Sequence, residues 1–181
     1  MLAKTIHLIG TSHRYQVRQS DADPPCEVFR SLVLTAVRAH AVSLIAEEMS
    51  LEAVQERGAK ASVCREVADE LQLPHCYCDA NRAERAVLGA EDEQAIWHRL
   101  SFAAHRGITH AEIDQLAAPL IRASHDKREY LWLQRLDREG RFPSLFVCGA
   151  NHVDTFSALL ERQGMRVNVL YRDWALDDAA G

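Results

Sequence analysis

Two copies of one short pattern sit at opposite ends of the chain, Gly10-Thr11-Ser12-His13 and Gly149-Ala150-Asn151-His152. Each follows an apolar run, Ile6-His7-Leu8-Ile9 in the first case and Leu145-Phe146-Val147-Cys148 in the second. Each therefore reads as a buried strand that ends in a Gly-x-x-His turn. Glycine lets the backbone turn sharply as it leaves the sheet, and the histidine then projects over the carboxyl edge of the strands. A neutral imidazole at that edge is either a metal ligand or a general base. Two further apolar runs end on carboxylates: residues 42–46 lead into Glu47-Glu48, and residues 75–78 lead into Asp79. If the strands are parallel, His13, Glu47, Glu48, Asp79 and His152 all leave the sheet on the edge where open α/β sheets bind ligands.

The elements that must position these groups alternate along the sequence. After the first strand, residues 14–26 carry polar and Pro24-Pro25 turn signals, and Val28, Leu32, Val33, Ala36 and Val37 give helical spacing over 27–40. A helix-prone stretch follows Met49-Ser50 to about Leu71, with an interruption near Gly58. Residues 82–137 read as almost wholly helical, with breaks near Gly89, at Gly107-Ile108-Thr109 and at Pro119. A strand after Phe142-Pro143, a helix over 153–163, a stop at Gly164 and a closing strand over 167–171 complete the chain, and the tail from Leu176 to Gly181 reads as frayed. The expectation is one α/β domain over 1–181 with a mostly parallel central sheet and helices on both faces. A helical excursion between the third and fourth strands, at about 82–137, forms a lid or flank.

With 181 residues, 48% of them hydrophobic, the chain is long enough to bury a substantial core. A net charge of −5 argues against unspecific nucleic-acid binding, and no apolar run approaches membrane-spanning length. The start, Met1-Leu2-Ala3-Lys4, leads straight into a short strand, and five cysteines without a regular framework suit a reducing compartment, so a cytoplasmic location is expected. The chain has no Gly-x-Gly-x-x-Gly, Walker loop or Gly-x-Ser-x-Gly, which disfavours nucleotide-dependent hydride transfer, P-loop hydrolysis and the serine-hydrolase elbow.

These motifs, in this order, resemble a superfamily that contains TraB/PrgY proteins, the Tiki metalloproteases, erythromycin-esterase-like hydrolases and ChaN-like haem-binding proteins. The resemblance rests on the strand leading to Gly10 and His13, the strand ending at Glu47, Arg128 in a late helix, and Val147-Cys148-Gly149-Ala150-Asn151-His152. It continues through Val153, Phe156, Leu159, Leu160 and Gly164 into a Val-rich final strand. Arg14-Tyr15-Gln16 depart from it where small or apolar residues are familiar.

The resemblance implies a polar centre of His13, Glu47 and His152. In a Tiki-like reading these hold a divalent metal ion such as manganese, zinc or cobalt; in an esterase-like reading they are acid/base groups. Glu48 is the second choice of carboxylate, because neighbouring strand residues point to opposite faces. Arg128 serves as an anion clamp or orients Glu47, and Asp79 is a further substrate-binding candidate. The expected activity is hydrolysis of an ester, amide or peptide bond in a small-molecule or peptide substrate. The alternative is a non-catalytic module of the same fold, either binding a haem-like ligand or serving regulatory interactions.

Each residue also has a plainer reading. The motif histidines could pack at strand-helix junctions, Glu47-Glu48 and Asp79 could cap helices, and Arg128 with Glu129 could be an exposed ion pair beside a packed Trp132. His75-Cys76-x-Cys78 invites a metal or redox role but lacks the second cysteine pair of a zinc site, so its residues read as strand residues. His98, His105, His110 and His125 lack metal-binding spacing and read as surface or packing residues.

Overall fold

The structure, a computed structural model, describes residues 4–20, 22–103 and 109–176. The expectations for His105, for the break at Gly107-Ile108 and for the tail beyond Leu176 lie outside those residues. Among the described residues the strands are β1 (Thr5–Thr11), β2 (Leu44–Glu47), β3 (His75–Tyr77), β4 (Ser144–Gly149) and β5 (Arg166–Trp174). All pair in parallel in the order β3-β2-β4-β1-β5. β1 and β4 are central, buried along nearly their whole length, and read as continuous apolar runs, as parallel strands covered on both faces must.

The helices fall on two faces. α1 (His13–Gln16), α2 (Pro24–Ala39), α3 (Leu51–Glu56) and α4 (Val63–Leu71) follow β1 and β2. Phe29, Val33 and Val37 of α2 and Val63 and Val67 of α4 pack with Ile9, Ile45, Leu145 and Val147 of the sheet. α5 (Arg82–Leu88), α6 (Glu93–Ala103), α7 (His110–Glu139) and α8 (Val153–Arg162) occupy the rest of the chain. On the opposite sheet face, Trp132 and Leu136 of α7 and Phe156 and Leu160 of α8 pack with Leu8, Ala46, Phe146 and Cys148. The chain thus leaves β1 toward one face and its neighbour β4 toward the other. That reversal opens a crevice at their carboxyl ends.

Local sequence explains most boundaries. Asp23 caps α2, with prolines in its first turn where a missing N–H is harmless. Asn81 with Glu84 and Thr109 with Glu112 form capping boxes that start α5 and α7. Gly89 ends α5 in the left-handed conformation that glycine adopts without strain. Pro119, read as a break, lies inside the continuous α7. Its ring frees the carbonyl of Gln115, and both residues are exposed, so water can take the lost bond. The short α1 stands where the sequence predicts a turn. Ser12 caps it by accepting a hydrogen bond from the Arg14 N–H.

The two motif glycines work differently from the expectation. Neither has positive φ. What they supply is room: a Cβ on Gly10 would lie 2.0 Å from the Arg172 carbonyl oxygen and 2.4 Å from Val153 Cγ2. A Cβ on Gly149 would lie 2.9 Å from Asn151 Oδ1 and 3.3 Å from Glu48 Oε2.

Candidate functional site

A cleft of about 700 Å3 opens over the carboxyl ends of β1, β2 and β4, and its walls include His13, Glu48, Asp79, Arg128, Gly149 and His152. His13 opens α1 directly after β1, and His152 closes a 3-10 turn, Ala150–His152, directly after β4. Since β1 pairs with β4, with Thr11 opposite Gly149, the two Gly-x-x-His turns stand side by side. Glu91, Asp92, Glu93 and Gln94, before and at the start of α6, also line the cleft.

The carboxylate between the histidines is Glu48. Its Oε1 lies 3.4 Å from His152 Nε2 and 3.8 Å from His13 Nε2. Arg128 Nη2 donates to the same oxygen at 2.5 Å, and the Gly149 N–H donates to Oε2 at 2.7 Å. Glu47, the first choice from the sequence, is not brought together with the histidines. Strand residues alternate, and Ile45 and Glu47 fall on the face that packs against α4, whereas Ala46 and then Glu48 turn toward the face of α7. Glu47 is fully buried; it accepts a short hydrogen bond from Ser62 Oγ, and His75 Nε2 lies 2.8 Å from its Oε1. The metal set His13, Glu47 and His152 therefore does not converge on one point.

Arg128 and Asp79 reach the cleft wall already committed to each other. Arg128 Nε donates to Asp79 Oδ1 at 3.0 Å and its Nη2 donates to Oδ2 at 2.9 Å, the fork-on-fork geometry that arginine makes with a carboxylate. Trp132 Nε1 also donates to Oδ1, at 3.0 Å, and Arg85 Nη2 to Oδ2, at 2.5 Å. With four donors Asp79 is saturated. Burial works to raise its pKa, but the guanidinium of Arg128, helped by Arg85 and Trp132, outweighs it and holds the carboxyl at about 2. Arg128 is buried too; its two carboxylates overcome the cost of burying the charge and push its pKa up. Its donors serve Glu48 and Asp79, so it locks the wall of the cleft.

Four residues that shape His152, namely Glu129, Thr155, Arg122 and His125, are not among the site residues expected from the sequence. Glu129 Oε1 lies 2.8 Å from His152 Nδ1 and accepts from Thr155 Oγ1 at 2.7 Å, while Arg122 donates to Oε2 at 2.9 Å. Burial opposes the charge on Glu129, yet the hydrogen bonds from His152, Thr155 and Arg122 bring its pKa below the ordinary value. His125 lies beside His152, with ring centroids 4.1 Å apart. Burial, then the His152 ring, push its pKa down despite Glu93. The signal was present in the spacing: His125, Arg128, Glu129 and Trp132 recur at i, i+3, i+4 and i+7, one face of α7, and all four are buried.

Glu129 and Glu48 can both only accept, but Glu129 is the nearer, 2.8 Å from Nδ1 against 3.4 Å between Glu48 and Nε2, so it holds the His152 proton on Nδ1 and leaves Nε2 open to the cleft. His13 has the opposite arrangement. The Gln16 amide nitrogen faces His13 Nδ1 at 3.3 Å, and in that amide orientation Nδ1 accepts and the ring proton sits on Nε2. One histidine thus offers a lone pair to the cleft, and the other offers a proton.

Donor atoms of His125, Glu129 and His152 also lie within 4.8 Å of one another, so this buried group could hold a metal ion. Among the described residues His125 Nε2 has no hydrogen-bond partner; Glu93 Oε1 lies 3.0 Å away but out of line. Comparison of the chain with protein-family models, with curated proteins and with solved structures gives no match, so the site is defined by its own geometry.

Proposed function

We propose that the protein is a hydrolase that cuts an ester, amide or peptide bond with a water molecule activated by His152. The observation that carries this reading is the pair of opposed imidazoles about Glu48. A water entering from the cleft beside Glu48 gives its proton to His152 Nε2 as it attacks a carbonyl carbon, and the imidazolium that forms is stabilised by Glu129 through Nδ1–H. His13, with its side chain 38% exposed at the mouth, donates from Nε2 to the departing oxygen or nitrogen. Water then resets both rings: His152 gives up the proton it took and His13 regains the one it lost. Glu48, fixed by Arg128 and the Gly149 amide, orients the water and sets the spacing of the two histidines.

A second reading is favoured by the unpartnered His125 Nε2. A manganese, zinc or cobalt ion held by His125, Glu129 and His152 would supply Lewis-acid chemistry there and lower the pKa of a bound water. The partners of Glu129 favour the metal-free reading. Glu129 Oε1 already faces His152 Nδ1 and accepts from Thr155, and its Oε2 already accepts from Arg122, so both carboxylate oxygens are engaged. A haem-like ligand fits the charged walls of Glu48, Asp79, Glu91, Asp92 and Glu93 poorly, because its macrocycle needs apolar surface.

The test is a panel of activated esters, amides and peptides, assayed with and without a strong chelator. The expected outcome is turnover that survives the chelator and falls to background in His152→Ala. Turnover that the chelator abolishes, with one equivalent of metal lost in His125→Ala, selects the metal reading. Parental turnover in His152→Ala removes both.

A further inference from the structure

The hydrolase reading leaves unused a cysteine pair at β3, the edge strand that pairs only with β2: Cys76 lies within it and Cys78 directly follows it. Cys76 and Cys78 are two residues apart, so their side chains share one face of the strand. Their sulfurs lie 3.4 Å apart, with the Cys78 S–H donating to Cys76 Sγ. Of the five cysteines, Cys76 alone is half-buried, while Cys26, Cys64, Cys78 and Cys148 are buried. We propose that Cys76 and Cys78 are an oxidation site, a dithiol that hydroperoxides convert to an intrachain disulfide that shifts Asp79.

The chemistry closes with the peroxide as the only oxidant. Cys76 thiolate attacks one peroxide oxygen, the O–O bond breaks, and the leaving oxygen is protonated to water (or to an alcohol, for an alkyl peroxide), giving a sulfenic acid. Cys78 loses its proton and attacks that sulfur; the S–O bond breaks and a water leaves. With hydrogen peroxide, two thiols and one oxidant become one disulfide and two waters, and two electrons pass to oxygen. The division of labour follows from position. The hydrogen bond from Cys78, helped by Arg135 and Arg138, outweighs burial and the Glu139 charge and brings Cys76 below the ordinary thiol value, whereas burial pushes Cys78 up. Cys76 is the attacking thiolate and Cys78 the resolving thiol. Burial also pushes up Cys26, Cys64 and Cys148, so each lacks both access and thiolate character.

Closure has a structural consequence next door. Residues i and i+2 of an extended strand are about 6.6 Å apart, at the upper end of the Cα separations that a disulfide spans, so the bond draws the strand in. Asp79 follows Cys78 directly, and its backbone is pinned by its N–H to the Met49 carbonyl at 3.0 Å and by Arg135 Nη1 on its own carbonyl at 2.7 Å. Shortening the strand pulls Asp79 from Trp132 Nε1, which changes the surroundings of a fully buried indole.

The experiment exposes the full chain to hydrogen peroxide, alkylates remaining thiols and maps peptides by mass, with tryptophan emission followed in parallel; neither readout depends on hydrolysis. The expected result is a Cys76–Cys78 disulfide formed roughly ten-fold or more faster than any other cysteine reacts. A thiol reductant reverses it, and an emission change accompanies it. Cys78→Ser should halt at an oxidised Cys76 without the emission change, and Cys76→Ala should leave Cys78 reduced. Sulfinic acid on Cys76 of the parent without a disulfide overturns the proposal, as does oxidation of Cys26, Cys64 or Cys148 at a matching rate. An oxidised Cys78 in Cys76→Ala also overturns it.

Discussion

The proton on His152 is placed by Glu129, and that one contact separates a base from a packing residue. Glu129→Gln keeps the shape and can still accept from Nδ1–H, but it removes the charge that stabilises the imidazolium. Turnover should fall by about 10²- to 10⁴-fold, the usual worth of general acid–base assistance, with the melting temperature little changed. Glu48→Gln should fall as far, because it also loosens Arg128. Glu47→Gln should spare turnover and lower stability instead, since Glu47 holds Ser62 and His75 on the other face of the sheet. Activity and melting temperature measured together on the three variants check this ordering. At this scale the sequence showed that Glu47 and Glu48 must face opposite ways, yet not which way. Choosing between them requires knowing which sheet face receives Arg128, and that is settled by a helix 80 residues away.

Elements fix the site through close approach. Gly10→Ala puts a methyl group against the Arg172 carbonyl and Val153, neither of which is the loose end of a flexible chain, so β5 or α8 must move. The expected loss is about 1–3 kcal/mol, read from chemical denaturation. Gly149→Ala should do less to stability and more to turnover, because its methyl meets Asn151 Oδ1 and Glu48 Oε2 within the cleft. Equal melting temperatures for Gly10→Ala and the parent would contradict this account. The strands, the crossover helices and the helical excursion were all legible from apolar runs and caps. The buried polar stripe on α7 was harder to see: its positions alternate with exposed charges such as Asp126 and Lys127, and only the tertiary contact with His152 distinguishes Glu129 from a surface acid.

For the whole molecule, acid stability follows from the buried charges. Asp79 has a folded pKa of about 2, below its unfolded value, so its stabilisation is complete above about pH 4 and is lost as the pH falls toward 2. The amount is about 2 kcal/mol. His125 adds a loss that begins earlier: its folded pKa lies below 6.5, so below that pH the unfolded chain takes up a proton that the folded chain resists. Unfolding free energy measured from pH 8 to pH 3 should therefore decline below about pH 6.5, and Asp79→Asn should flatten only the lowest part of the curve. The same variant keeps Glu48 as the partner of Arg128 and should lower stability at neutral pH by about 2 kcal/mol or more, the contribution of the lost charge. The parallel sheet with helices on both faces was readable from the alternation of elements. The strand order was not, because it depends on which strands pair across the long excursion. Among the described residues no helix is long and apolar enough to cross a membrane.

The central claim is that the cleft sets one histidine as acceptor and the other as donor. Nitrogen-15 spectra of the imidazole rings in the intact protein, recorded above the histidine titration range and assigned with His13→Ala and His152→Ala, read the tautomers directly. The account predicts a proton on Nδ1 of His152 and on Nε2 of His13, with the His152 signal collapsing to a mixture in Glu129→Ala. A proton resident on Nε2 of His152 in the parent would leave the cleft without its base and would contradict the account.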